Sequence, residues 1–389
     1  MSTRRPLFDV KACAAGGAIL ATICFAASPA LAANRALVGY YPSWICGSPV
    51  LADCDPAANL AQLSPAATHV ILSFAQPDFA WDGASWTGTG LQFRKSPADM
   101  KPAIRALQAR GVRVLLAVGG AKYLNWAPLA AESGKAGPIT KALAGAIAEL
   151  GFDGLDVDDE TDGTGPLEIA EYVGAIRAMH RAVTLAGAGK ILTLAAWSTG
   201  ADCTPQTGLA ACGGKASQWQ GRAGRERLLF RDRALLDALS MIDVMSYDAG
   251  TENFDPVVAY SLYRALVPSR VVVNIGLETA PEGWGDGKLV ADNADAVCPG
   301  SVTVADQFGT AIGLPYSVER LIRSAPLAAR ANNNPRDGAM VWNLLKDQNL
   351  PQCGGKNAVS AEQLQSKARA LLDGRHVTSG PASEAPHER

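Results

Sequence analysis

The sequence predicts an α/β protein, a closed (β/α)8 barrel built as one domain, and three observations carry that expectation. Eight short β-branched or apolar runs alternate with eight longer segments of helical period, the arithmetic of repeated βαβ units closing on themselves. No linker rich in Pro, Gly or Ser divides the chain, so one domain is the economical organisation of its 389 residues. The turn Tyr41-Pro42-Ser43-Trp44 after the first strand is not the glycine-rich phosphate loop that a doubly wound sheet would want there.

Taken in order, the strand Leu37–Tyr41 leads to a helix near Pro56–Leu63, and His69–Phe74 to Pro97–Arg110. The third strand, Val112–Val118, precedes a helix near Lys135–Gly151, and the fourth, Gly154–Asp158, precedes Pro166–Ala186. Ile191–Trp197 and Ile242–Tyr247 are followed by helices near Arg231–Leu239 and Pro256–Leu266. Val271–Ile275 and Ala339–Asn343 complete the strands, with helices near Val318–Ala331 and Ala361–Asp373. The tail from Arg375 to Arg389, polar and almost without large apolar residues, is expected to be disordered.

Residues 1–32 stand apart from this pattern. Arg4, Arg5 and Lys11 precede an Ala-rich apolar stretch from Ala12 to Ala27, then Ser28, Pro29 and Ala30-Leu31-Ala32, the form of a cleaved secretory leader with an A-x-A site. The apolar run is short of the ~20 residues that a membrane span requires, so no membrane association is expected after cleavage. Thr3-Arg4-Arg5-Pro6-Leu7-Phe8 also resembles a bacterial twin-arginine signal, and the expected location is secreted or periplasmic. The domain then runs over residues 33–374.

Of the 8 cysteines, Cys13 and Cys24 lie in the leader, leaving an even number in a compartment where disulfides persist. Short loop closure pairs Cys46 with Cys54 and Cys203 with Cys212, leaving Cys298 and Cys353 for each other. No Cys-x-x-Cys pair or His cluster suggests structural zinc. With 35 Lys+Arg against 37 Asp+Glu the net charge is −2, so nothing global favours nucleic acid or an anionic membrane, and neutral substrates fit better.

Loops at the carboxyl ends of barrel strands build active sites. The longer ones, Ala75–Asp99, Ser198–Phe230 and Glu278–Pro315, carry Trp81, Trp86, Trp219 and Trp284, each of which either stacks on a sugar ring or packs its own loop. The decisive stretch is Phe152-Asp153-Gly154-Leu155-Asp156-Val157-Asp158-Asp159-Glu160 at the end of the fourth strand. Side chains alternate in a strand, so Asp156, Asp158 and Glu160 point into the barrel while Leu155 and Val157 face the helices. Desolvation and mutual repulsion both oppose ionisation of such a stack, and the group nearest two anions is expected to hold its proton. That is how a carboxyl becomes a general acid near neutral pH. Carboxylates at this spacing also suit Mg²⁺ or Ca²⁺, but no phosphate loop or further ligand set accompanies them. Neither metal nor cofactor is expected.

Asp153-Gly154-Leu155-Asp156-Val157-Asp158-Asp159-Glu160 matches the D-G-x-D-x-D-x-E signature of glycoside hydrolase family 18, the chitinases and endo-β-N-acetylglucosaminidases, which this chain resembles. Tyr40-Tyr41-Pro42-Ser43-Trp44 looks like the family's first strand, Met245-Ser246-Tyr247-Asp248 matches its M-x-Y-D, and Trp342 resembles its eighth-strand tryptophan. The resemblance covers residues ~36 to ~345. It implies hydrolysis of N-acetylglucosamine-containing polysaccharide or oligosaccharide, with the substrate's own 2-acetamido group as nucleophile and configuration retained; the protein is expected to act as a monomer. Glu160 would then be the acid and base, and Asp158 would accept the acetamido N–H. Tyr247 would orient the acetamido oxygen, and Asp156 would share a proton with Asp158. Trp342 would floor the sugar pocket, Met245 would line it, and Tyr40 and Asp248 are second-tier polar candidates. His69, at the wrong barrel end, and His180, in a helix, are not assigned to catalysis.

The chain departs from that pattern in two places. Ala117-Val118-Gly119-Gly120 stands where the family has S-x-G-G, removing a hydroxyl that would bond the inner aspartate and leaving Asp156 to lean on Tyr40 or water. Asp159 stands where most chitinases carry Trp, an ending more like the enzymes that cut N-glycan cores. The short segment between the seventh and eighth strands leaves little room for a cleft-deepening insertion, and no Cys- and Trp-rich chitin-anchoring module follows, so a shallow cleft and endo rather than processive action are expected. A catalytically silent, glycan-binding relative is the other functional class; the presence of Glu160 speaks against it.

Overall fold

The computed structural model describes residues 35–46, 53–64, 66–247, 249, 253–278, 289, 305–312, 316–328, 334–345 and 361–375. The leader, Asp248, Trp284, the pair Cys298 and Cys353, and most of the segment between the last two strands therefore lie outside the described residues.

Eight parallel strands close into a barrel in chain order: β1 (Leu37–Pro42), β2 (His69–Ala75), β3 (Arg113–Gly119), β4 (Gly154–Asp158), β5 (Ile191–Trp197), β6 (Met241–Met245), β7 (Val272–Glu278) and β8 (Gly338–Trp342). Leu37 to Gly39 of β1 pair with Ala339 to Val341 of β8, which completes the ring. The fold is the (β/α)8 barrel expected, with α1 (Pro56–Ala61), α2 (Pro97–Ala109), α3 (Ala127–Ala130), α4 (Pro138–Leu150), α5 (Pro166–Ala186), α6 (Arg225–Leu229), α7 (Arg233–Ala238), α8 (Pro256–Leu266), α9 (Val318–Ser324) and α10 (Ala361–Leu372). Closure buries the strands on both faces, which is why β1, β4, β6 and β7 are buried along their whole length.

The boundaries that moved have local causes. Helix α4 starts at Pro138, after Gly137, because the Glu132 carboxylate accepts the Gly137, Ile139 and Thr140 amides and fixes its first turn there. Helix α9 stops at Ser324, two residues before Pro326, whose ring disfavours helical geometry in the residue preceding it. The short α3 and α6 were not foreseen; four or five residues carry too little periodicity to be read. Cys46–Cys54 and Cys203–Cys212 form disulfides, as loop closure suggested.

Register places the chemistry. Ala117, Asp156 and Thr193 lie side by side in one row, and Gly119 adjoins Asp158 in the next. Ala195, Asp243 and Asn274 form another row, and Trp342 adjoins Glu278. Apolar side chains usually fill such a barrel; here Tyr40, Asp156, Thr193, Asp243 and Asn274 are all buried inside it. Glycine is required beside them at Gly119, whose φ is +117° and where a Cβ would sit 1.9 Å from the Asp158 carbonyl oxygen.

Candidate active site

The inward row at the carboxyl end of β4 begins with Asp156, which is fully buried. Its Oδ2 accepts the Tyr40 hydroxyl at 2.7 Å and its Oδ1 the Thr193 hydroxyl at 2.6 Å. Burial raises this carboxyl to about 7, against the opposing pull of the two hydroxyls. The hydroxyl lost at Ala117 is thus replaced from the opposite neighbour, since Ala117 and Thr193 flank Asp156 on β3 and β5.

Asp158, one step further out, is pushed well above the usual carboxylate range by burial and then by the charges of Glu160, Asp156 and Asp159, with Arg222 opposing. Burial and the neighbouring charges thus both favour the protonated form of this middle acid. Its Oδ1 has no hydrogen-bond partner among the described residues. Below the pair, the Asp243 carboxylate accepts the Asn274 amide at 2.7 Å and is itself raised by burial and the Asp156 charge.

Two cavities open above these groups. One of about 170 Å³ is walled by Asp158, Glu160, Tyr247, Met245, Trp197, Trp342, Phe74 and Ala121. The second, about 210 Å³, shares Glu160, Trp342, Phe74 and Ala121 with it and extends to Trp44, Gln92, Gly119, Lys122 and Tyr123. Glu160 faces both, two residues past the end of β4, where the strand's alternation carries it. Trp342 stacks on Phe74 with centroids 5.6 Å apart and meets the Tyr40 ring edge-on at 5.6 Å. Larger grooves exist among the described residues, around His180 between α5 and α7 and around His69 at the opposite barrel mouth, but neither touches the acids.

The structure brings Asp156, Asp158, Glu160, Tyr247, Met245, Trp342 and Tyr40 together at one barrel mouth; Tyr40 and Asp156 sit beneath the cavity rather than in its wall. Asp248 lies outside the described residues. Tyr247 follows β6, its hydroxyl 3.9 Å from the Met340 sulfur. The three described loop tryptophans pack their own surroundings. Trp81 donates to Glu149, Trp86 to the Lys95 carbonyl and Trp219 to the Asn253 carbonyl, and none lines either cavity.

Thr193, Trp197, Phe74 and Trp44 were missed. Thr193 and Trp197 were within reach, because alternation along β5 sends them inward with Ala195. Phe74 was not, since simple alternation sends it out; the register shift between Leu72 and Ala75 re-aims it into the cleft.

Asp159 does not face the cleft. It is buried in an ion pair with Arg225 at 2.9 Å, behind the strand, and accepts the Thr161 amide and hydroxyl. Its side chain therefore lines neither cavity. The motif's first acid, Asp153, is likewise a scaffold residue: its carboxylate accepts the Val114 amide and the Gln108 side chain at the other end of β4.

The family model for glycosyl hydrolases family 18 matches residues 36–275. A chitinase of Plasmodium falciparum (isolate 3D7) is 32% identical over 136 residues, a match that spans 32% of this chain and 32% of that protein, so the chain covers only about a third of this curated relative. Among solved structures, a GH18 chitinase from Pseudoalteromonas aurantia superposes with a TM-score of 0.52 at 16% identity, covering 86% of this chain and 100% of that one. A family GH18 chitinase from Chromobacterium violaceum gives 0.51 at 18%, covering 87% and 83%. At such identities these structures speak for the fold alone.

Proposed function

The chain belongs to family 18 of the glycosyl hydrolases, and from that membership we propose that it cleaves β-1,4-linked N-acetylglucosamine, in chitin or chitooligosaccharides, by substrate-assisted catalysis with retention. The observation that carries this reading is one small cavity walled at once by Asp158, Glu160, Tyr247 and Trp342. A sugar seated there stacks on the Trp342 indole and presents its 2-acetamido group to Asp158 and Tyr247.

Glu160 gives its proton to the glycosidic oxygen as the bond to the anomeric carbon breaks. The acetamido carbonyl oxygen forms the new bond to that carbon, closing an oxazolinium ring. The nucleophile arrives tethered, which gives the proximity advantage of an intramolecular reaction. Asp158 Oδ1, without a partner among the described residues, takes the acetamido N–H and stabilises the ring's positive charge. Tyr247 holds the acetamido oxygen. Asp156, fixed by Tyr40 and Thr193, receives or returns the proton it shares with Asp158 as that charge develops. Water then adds at the anomeric carbon, losing its proton to Glu160, and the ring reopens with the original configuration.

Replacing the acid tests this directly. Glu160→Gln is expected to lower turnover of a fluorogenic chitotrioside by about 10²- to 10⁴-fold; unchanged turnover in a folded variant overturns the mechanism. The rival substrate is the core of N-linked glycans, to which the Asp159-Glu160 ending points; Asp159 itself is buried against Arg225 and lines neither cavity. Release from chitin oligomers should exceed release from a high-mannose glycopeptide. Export with removal of residues 1–32 belongs to the same proposal, and the amino terminus of the exported protein tests it.

A further inference from the structure

The backbone around Glu160 is gripped by two guanidinium groups from the segment between β5 and β6, Arg222 and, at the start of α6, Arg225. Arg225 Nη1 donates to the carbonyls of Asp159 and Thr161, both at 2.9 Å, while its Nη2 donates to Asp159 Oδ2 and Thr161 Oγ1, also at 2.9 Å. This guanidinium is wholly buried and lies over the Tyr172 ring of α5, 4.2 Å from its centroid. Arg222 donates to the carbonyl of Glu160 itself and, through Nε, to Asp162 Oδ1 at 2.9 Å. Its own guanidinium rests on the Trp197 indole at 3.8 Å, and Trp197 is a wall of the small cavity. Three successive carbonyls, at 159, 160 and 161, are thus satisfied by two arginines rather than by a strand neighbour.

A buried charge costs several kcal/mol to desolvate unless its donors are used. Arg225 spends four contacts on a segment of three residues that no ladder supports, since β4 ends at Asp158. We propose that Arg222 and Arg225 are positioning residues for the general acid, fixing the main chain on both sides of Glu160 so that its carboxyl stays in the cleft. The proposal rests on the reading of Glu160 given above. The planar fork is essential to it: one guanidinium spans two carbonyls and a carboxylate, which an ammonium at the same place does not do. Asp159 is then present as the anchor of this clamp.

The test takes Arg222→Gln and Arg222→Lys, whose side chain is partly exposed, together with Arg225→Lys. Two readings are made on each: steady-state kinetics on the fluorogenic chitotrioside, and amide hydrogen exchange over residues 159–163 without substrate. Arg222→Gln should lower kcat by about 10- to 100-fold, the scale expected for a misplaced catalytic group, with a smaller change in KM and faster exchange at 159–163. Arg222→Lys, which keeps the charge, should fail to restore kcat. Unchanged exchange, or faster exchange with kcat intact, overturns the clamp, and so does full rescue by Lys. If Arg225→Lys does not fold, the Arg222 pair decides the question. A wild-type protein that leaves the chitotrioside intact, or a Glu160→Gln variant as active as wild type, defeats the functional reading instead, while the exchange measurement still reports on the clamp.

Discussion

Asp156 takes hydroxyl hydrogens from two strands, Tyr40 on β1 and Thr193 on β5, and both bonds favour its charged form against the burial that raises it to about 7. Removing one of them has a definite sign. Thr193→Val deletes a donor, so Asp156 holds its proton to still higher pH, and the limb of the kcat/KM profile that reports the Asp156 and Asp158 pair should move upward. A limb that stays in place in the Val variant would mean that it belongs to another group. The Val variant also leaves Asp156 Oδ1 buried without its donor, which should cost about 1–3 kcal/mol in denaturant unfolding. The pair titrates as a unit, so the profile gives macroscopic values rather than one for each residue.

At the scale of elements, the site depends on how β3, β4 and β5 lie against one another. Gly119 closes β3 where the chain must pass the Asp158 carbonyl, and its positive φ and the 1.9 Å approach of a hypothetical Cβ leave no room for a side chain. Gly119→Ala should therefore lose about 3 kcal/mol or more, read from the urea midpoint at constant m-value. A midpoint near the wild-type value would show that the β3 terminus relaxes without disturbing Asp158. The same packing logic explains Phe74: the irregularity in β2 turns a ring that would have faced the helices onto Trp342. Beyond the strand ends, Ser246 ties β6 to β7 by accepting the Gly276 amide at 2.8 Å and donating to its carbonyl at 3.0 Å, which sets where Tyr247 emerges.

For the whole molecule, a barrel interior that carries buried acids has a pH-dependent stability. Asp156 keeps its proton to about 7 when folded and to about 4 when unfolded. Between those values the unfolded chain has released a proton that the folded chain still holds, so this group's contribution falls as pH rises through that window. Asp156→Asn removes that slope. The difference in unfolding free energy between variant and wild type should shift in the variant's favour from pH 4 to pH 7, and a constant difference would show that Asp156 ionises normally. The amino-acid sequence by itself determined the eight-strand barrel, the inward stack of Asp156, Asp158 and Glu160, and two disulfides, because alternation, helical period and short loop closure are local properties of the chain. Only the tertiary structure decided that Thr193 replaces the hydroxyl missing at Ala117, that Phe74 turns into the cleft, and that Arg225 captures Asp159 from 66 residues away. Each of these is a contact between strands or loops far apart in sequence, set by barrel register and closure, and no periodicity within a single segment encodes it.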